Sequence, residues 1–141
     1  MSCRFIAVFT AAVFCVALAH AAASPESCRT LRKHGQRAQA EACFTQLTRS
    51  SDAYMRAEGF WGLEDWTNAN DSFRAASVGA SAQALYKVQW GMLFHERFNN
   101  PEAVNLFREA IAQDPNNAAA YLGLATVSAE EYDGKASEYL A

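Results

Sequence analysis

The sequence predicts an all-α fold built from stacked pairs of antiparallel helices. Its apolar residues follow helical spacing, without the sustained period-two alternation that is typical of half-buried strands. Short polar segments rich in Gly, Pro, Asn and Ser interrupt that spacing and indicate turns. The pattern also recurs at a constant interval, so that Phe60 corresponds to Phe94 and Phe73 to Phe107. This interval, about 34 residues, is typical of helical hairpins that stack side by side.

The segment 1–23 is predicted to be a secretory signal peptide and not part of the fold. Arg4 precedes an apolar stretch from Phe5 to Ala19, and residues 21–23 are all alanine. Cleavage after Ala21 or Ala23 satisfies the small-x-small rule, and we favour Ala23. A retained anchor is the less favoured alternative, because the apolar stretch is shorter than the roughly 20 residues that span a bilayer. We therefore expect an exported protein, periplasmic or secreted, with no stable membrane span after cleavage.

The mature chain is expected to be one packed domain, residues 24–141. An apolar content of 51% with 12% aromatic residues argues against disorder. Without the signal peptide the chain carries 11 basic and 15 acidic side chains, a net charge of −4. Nucleic acid is therefore excluded as an expected partner, because binding to its backbone depends on clustered positive charge.

The turn signals divide the mature chain into eight helices. Gly35 separates the first two, and the polar segment 50–52 ends the first pair. A break near Thr67 divides the second pair, which ends at the small residues 79–81. The predicted helices span residues 26–34, 37–48, 53–64, 67–77, 82–97, 101–112, 118–129 and 132–140.

The clearest local signal is the start of the sixth helix. Asn100 is expected to cap its free backbone amides, Pro101 suits the first helical position, and Glu102 complements the positive end of the helix dipole. Asp114 and Pro115 stop the same helix, because a residue before proline disfavours helical geometry.

These residues resemble the tetratricopeptide repeat, whose helix pair carries an aromatic residue, Leu-Gly, a second aromatic residue, Ala-x-x-x-Phe and a closing Pro. The third pair departs from this order only at Trp90, which replaces Leu, and at Lys87, which replaces the first aromatic residue. Its matching residues are Gly91, Phe94, Ala103, Phe107, Ala110 and Pro115. The second pair matches at Ala57, Phe60, Ala69, Phe73 and Ala76, the fourth at Tyr121, Leu124, Ala125, Ala136 and Leu140, and the first at Gly35, Ala40, Phe44 and Leu47.

The resemblance implies a right-handed superhelical array, an α-solenoid of about four pairs near 26–48, 53–77, 82–112 and 118–140. The link between the first two pairs is shortened, since Phe44 precedes Phe73 by less than one full repeat. The repeated small and aromatic residues are expected to be scaffold, because they let helices approach and fill the space between them.

The resemblance further implies that the first helix of each pair lines a concave groove that binds a partner. The residues carried over to that groove are Tyr54, Glu58, Trp61, Leu85, Val88, Met92, His95, Leu122 and Thr126. The strip is mostly apolar, which predicts an extended or helical protein segment with apolar anchors as the partner. For Val88 and Leu122, packing inside the array is an equally weighted alternative. We therefore expect a non-enzymatic protein–protein scaffold or adaptor of the cell envelope.

The chain carries little that indicates catalysis or metal binding. His95 and Glu96 begin like the metalloprotease signature His-Glu-x-x-His, but Asn99 occupies the place of the second ligand. No Gly-rich phosphate loop and no Gly-x-Ser-x-Gly elbow is present. We expect no catalytic residue, no metal and no cofactor.

Cys28 and Cys43 are the only cysteines of the mature chain. They lie on either side of Gly35, which places them at similar heights on two antiparallel helices. In an oxidising compartment they either form a disulfide or remain two buried thiols, and the spacing leaves both alternatives open.

The family pattern would continue beyond Ala141, so we expect the exposed end to dock on another copy or another protein. The alternative is an N-terminal substrate- or partner-recruiting segment of a larger exported hydrolase, metallopeptidase-like by analogy with other exported repeat proteins. A purely structural assembly piece is the third hypothesis.

Overall fold

The computed structural model describes residues 23–78, 83–131 and 134–141. Within these ranges the chain forms eight α-helices and no strand, which confirms the all-α prediction. The helices are α1 (Pro25–Lys33), α2 (Arg37–Leu47), α3 (Ala53–Gly62), α4 (Trp66–Ala76), α5 (Ala84–Glu96), α6 (Asn100–Gln113), α7 (Ala118–Glu130) and α8 (Ala136–Tyr139). The predicted signal peptide, apart from Ala23, lies outside the described residues.

Most predicted helix ends lie close to the observed ones, and the last helix is the exception. Its start was expected at residue 132, whereas α8 begins at Ala136 and is a single short turn. Gly134, with φ of 77°, adopts the left-handed conformation that ends helices, which explains the later start.

Side-chain oxygens cap the free amides at four helix starts. Ser24 and Ser27 form a capping box at α1, Asp52 accepts from the first amides of α3, and Asn117 accepts from Ala120 N in α7. Asp65 does the same for α4.

The prediction for the start of α6 was wrong in one detail. The helix is preceded by Asn99, which makes no side-chain cap bond, while Asn100 lies inside the first turn. Pro101 and Glu102 do lie in the first turn, as expected.

The turns inside the first three helix pairs share one backbone conformation. Gly35, Glu64 and Phe98 have φ of 74°, 61° and 58°, in the left-handed region. Each is followed by an amide that donates to a carbonyl in the preceding helix, as in Gln36 N to Leu31 O at 3.0 Å. The corresponding bonds at the next two turns are Asp65 N to Phe60 O and Asn99 N to Phe94 O, both 2.9 Å. This is the Schellman ending of a helix, at corresponding positions of three pairs.

The core is centred on three phenylalanines of the second helices. Phe44 of α2, Phe73 of α4 and Phe107 of α6 are fully buried. The helix backbones approach these rings at glycines: a Cβ at Gly91 would lie 2.7 Å from Phe107 Cε1, and one at Gly123 would lie 2.6 Å from its Cζ. Gly91 therefore does what the sequence predicted, since it lets its helix approach a bulky side chain, and Gly123 does the same from α7.

Helix contacts mostly follow chain order. Within the described residues each helix packs against its chain neighbours, from α1 with α2 to α7 with α8. The first helices of successive pairs also meet, α1 with α3 and α5 with α7. These first helices carry the predicted groove.

Candidate functional site

Two of the nine predicted groove residues are buried, so their assignment to a binding surface was wrong. Val88 is 1% exposed and packs in the cluster around Phe107 and Leu124. Glu58 is also 1% exposed. Neither side chain is accessible to a partner. For Val88 the structure agrees with the alternative that its side chain packs inside the fold.

The other seven residues range from partly buried to exposed. Leu85 and Leu122 are 42% and 53% exposed. Met92 is partly buried against the core, and the Thr126 hydroxyl donates to Leu122 O at 2.9 Å. The remaining three, which hold polar contacts described below, are partly buried: Tyr54, Trp61 and His95. The accessible apolar surface is therefore narrower than the predicted strip.

Glu58 is the centre of a polar cluster that joins α1 to α3. Its Oε2 accepts from Arg29 Nη1 at 2.5 Å, and its Oε1 accepts from the Tyr54 hydroxyl at 2.7 Å. Both carboxylate oxygens are thus bonded, as a buried charge requires. Burial and the neighbouring Glu58 carboxylate raise the pKa of the Tyr54 hydroxyl well above its usual value.

A cavity of about 470 Å³ opens beside this cluster, between α1, α3 and α5. Two partly exposed indoles, Trp61 and Trp66, line it. The exposed carboxylates Glu26, Glu64 and Glu96 also line it. The cavity combines aromatic surface with negative charge, a composition that the sequence analysis did not anticipate.

The two arginines of the cavity lining are bound within the chain. Arg29 pairs with Glu58 and lies 3.7 Å from Glu26. Arg32 donates to the carbonyl oxygen of Gly62, and its guanidinium lies 4.6 Å from the centre of the Phe44 ring.

One contact between first helices recurs at corresponding positions of the described pairs. Trp61 and His95 are one repeat apart, as are the carboxylates they contact, Glu96 and Glu130. Because the link between the first two pairs is shortened, Arg32 precedes Trp61 by the same shorter interval that separates Phe44 from Phe73. Gly62 corresponds to Glu96 but has no side chain, so its carbonyl oxygen is the acceptor. The three contacts are Arg32 Nη2 with Gly62 O, Trp61 Nε1 with Glu96 Oε2 at 2.8 Å, and His95 Nε2 with Glu130 Oε1 at 3.5 Å.

A seam of aromatic contacts joins α3 and α4 to α5. The Tyr54 and Tyr86 rings stack with centroids 4.5 Å apart. Trp90 Nε1 donates to Asn70 Oδ1 at 2.9 Å. Just beyond the end of α5, the guanidinium of Arg97 lies 5.0 Å from the centre of the Trp66 ring.

Sequence reasoning missed this seam and the roles of Arg29 and Glu96. For Glu96 a signal was present, because Glu130 lies at the same place of the next repeat. Two carboxylates one repeat apart indicated a shared contact.

Cys28 and Cys43 form a disulfide that links α1 to α2. The Sγ atoms are 2.09 Å apart and the Cα atoms 5.4 Å apart. Among the described residues, no three His, Cys, Asp or Glu side chains are grouped so that they could hold a metal ion. Within residues 23–78, 83–131 and 134–141, no helix has the length and apolar character needed to cross a membrane.

No protein-family model matches the chain. No curated protein matches it at a significant level of sequence similarity. The resemblance to the tetratricopeptide repeat therefore stays a prediction from the sequence pattern.

Proposed function

We propose that the protein is a non-enzymatic interaction scaffold whose helix pairs form a tetratricopeptide-like array. In this proposal the first helices, α1, α3, α5 and α7, present the surface that binds a partner protein. The observation that carries the proposal is the contact that recurs between first helices, made by Arg32, Trp61 and His95 with the next first helix. Contacts at corresponding positions are what stacked repeats of one structural unit produce.

The shared turn geometry supports the same proposal. The left-handed residues Gly35, Glu64 and Phe98 occupy corresponding places although their side chains have nothing in common. A common backbone conformation with unrelated side chains indicates that the position within the repeat determines the turn.

The partner surface in this proposal is smaller than the one predicted from the sequence. Leu85 and Leu122 supply exposed apolar anchors, while Trp61 contributes part of its indole. A segment with apolar side chains, extended or helical, is the partner that such a surface fits.

Export is part of the proposal. The disulfide between Cys28 and Cys43 supports it, because such bonds form and persist mainly in oxidising compartments. A cell envelope or the extracellular space provides that environment.

Capture of peptides from a displayed random library by the mature domain tests the function. Captured peptides are then titrated against Leu85→Ser, Leu122→Ser and Trp61→Ala, with circular dichroism to verify folding. We expect each substitution to weaken binding by about tenfold, the loss that follows when an apolar anchor loses its contact.

The matched controls are Val78→Ser and Leu140→Ser, which remove apolar side chains of similar exposure, 67% and 64%, outside the proposed surface. They should bind like the unmodified protein. Failure to capture any peptide, or equal affinity of the surface variants and the controls, would contradict the proposed function.

A further inference from the structure

We infer that the cavity between α1, α3 and α5 binds a basic side chain of the partner, an arginine in preference to a lysine. The inference rests on the proposed protein-binding function and names the chemistry of one anchor. It is carried by the charge balance of the lining, by its rings and by the hydrogen bonds that these groups already make.

The cavity lining has unused acceptors. The Glu64 carboxylate makes no hydrogen bond or ion pair with any residue that the structure describes. Glu96 uses Oε2 to accept from the Trp61 indole, which leaves Oε1 for a second donor. Glu26 lies 3.7 Å from Arg29 and is largely exposed. Three carboxylates at one opening therefore offer more acceptor atoms than the chain itself occupies.

The positive groups of the lining are engaged. Arg29 is held by the buried Glu58, and Arg32 by the Gly62 carbonyl and the Phe44 ring. The four carboxylates of the lining outnumber these two guanidinium groups; they belong to Glu26, Glu58, Glu64 and Glu96. The net charge of the site is negative, so a cation is the complementary ligand.

The aromatic lining favours a guanidinium over an ammonium group. Two arginines of the chain already stack on rings that line the cavity, Arg32 on Phe44 and Arg97 on Trp66. Trp61 presents a further indole next to the free oxygen of Glu96. A planar guanidinium stacks on an indole while it donates to a carboxylate, whereas a lysine ammonium is a compact point charge. The volume of about 470 Å³ lies in the usual range of ligand cavities, roughly 300 to 1,000 Å³.

The first test compares three forms of one captured peptide: arginine, the neutral isostere citrulline, and glutamate at the same position. We expect citrulline to bind about tenfold more weakly than arginine, since hydrogen bonds between charged groups exceed neutral ones in strength. The Trp61 indole N–H resonance should shift on binding. The Trp90 resonance, from an indole bonded to Asn70 outside the cavity, is the internal control.

The second test neutralises the carboxylates. Glu64→Gln and Glu96→Gln should each weaken binding of the arginine peptide several-fold and leave binding of the citrulline peptide unchanged. Glu96→Gln retains a side-chain oxygen that can accept from the Trp61 indole. Glu102→Gln, which removes the same charge from the exposed start of α6, is the matched control.

Capture of peptides without a basic residue, or equal affinity for arginine and citrulline, overturns the inference and leaves the proposed function standing. Tighter binding of the glutamate form overturns it in favour of an anion site at Arg32. If no peptide is captured at all, the proposed function fails and the inference fails with it.

Discussion

Phe107 lies fully buried where α5, α6 and α7 meet, with glycines of two helices against its ring. Phe107→Ala should lower the free energy of unfolding by about 3 to 5 kcal/mol, because it removes a large buried side chain and leaves a cavity. Urea denaturation measures the change. Phe98→Ala is the matched control, since Phe98 is 93% exposed and its loss should cost little. Similar effects of the two substitutions would contradict the burial of Phe107.

Glu64 and Phe98 adopt a left-handed conformation that costs side chains with a Cβ roughly 1 to 2 kcal/mol. Glu64→Gly and Phe98→Gly should each stabilise the fold, by about 1 kcal/mol after the greater chain entropy of glycine is subtracted.

Arg108→Gly, in the exposed interior of α6, is the control and should cost about 1 kcal/mol. Thermal unfolding of the three variants measures the sign of each change. A loss of stability in both turn variants would contradict the left-handed assignment.

Tyr54 provides a pH-dependent contribution to stability. Because the pKa of its hydroxyl is raised in the folded state, the unfolded chain releases this proton first, near pH 10. The contribution of Tyr54 to the free energy of unfolding is therefore fully present below pH 10 and falls as the pH rises above it.

Tyr54→Phe should reduce the slope of the free energy of unfolding against pH, above pH 10, by the equivalent of about one bound proton. The free energy of unfolding is measured by urea denaturation at pH 9 and pH 11 for both proteins. Equal losses in the two would show that Tyr54 has no raised pKa. The variant still leaves Arg29 on Glu58, so the ion pair itself is preserved.

At the scale of single residues, the sequence pattern predicted where the periodic residues are buried. The periodic phenylalanines and small residues packed where their register placed them. Glu58 was assigned to the groove by its position in the repeat, whereas in the structure it is buried and Arg29 of the first helix balances its charge. Such a pairing depends on the packing angle of α1 on α3, which no local pattern encodes.

At the scale of helices, the disulfide fixes α1 against α2. It closes a loop with a sequence separation of 15, which corresponds to about 3 kcal/mol in the chain-entropy account. Reduction should therefore lower the midpoint of urea unfolding, which circular dichroism measures.

The control for that experiment is the double variant Cys28→Ala and Cys43→Ala, which should be insensitive to reductant. If reduction changes the unmodified protein no more than the double variant, the bond contributes nothing to stability.

Helix ends were predictable where a residue type determines the local backbone, as at Gly35 and at Pro101. They were less predictable where tertiary position decides. Neither Glu64 nor Phe98 has a side chain that favours left-handed geometry, and their turns form because the next helix must pack back on the first. The shift of the α6 cap to Asn99 follows from the same turn.

At the scale of the whole molecule, each helix packs mainly against its chain neighbours. A destabilising substitution is therefore expected to increase hydrogen exchange only in the helices next to it. Gly123→Ala forces a Cβ to 2.6 Å from Phe107, and Gly62→Ala forces one against the Phe44 ring. Hydrogen exchange should accelerate in α6 and α7 in the first variant and in α2 and α3 in the second. Uniform acceleration along the whole chain in both variants would indicate a single cooperative unit instead.

The division into eight helices was accessible from the sequence because helical spacing and turn residues are local signals. The cavity was not accessible from the sequence. Its carboxylates and indoles come from several segments of the chain, and no single segment has a pattern that indicates a binding site. Glu64, Trp66 and Glu96 meet only through the packing of the helices on one another.

All three tryptophans of the chain lie near the aromatic seam, each beside a different neighbour: a carboxylate for Trp61, a guanidinium for Trp66 and an amide for Trp90. The intrinsic fluorescence of the protein therefore originates almost entirely from the place where α3 and α4 meet α5. A change in emission wavelength or quenching therefore reports separation of α5 from α3 and α4, without a label added to the protein.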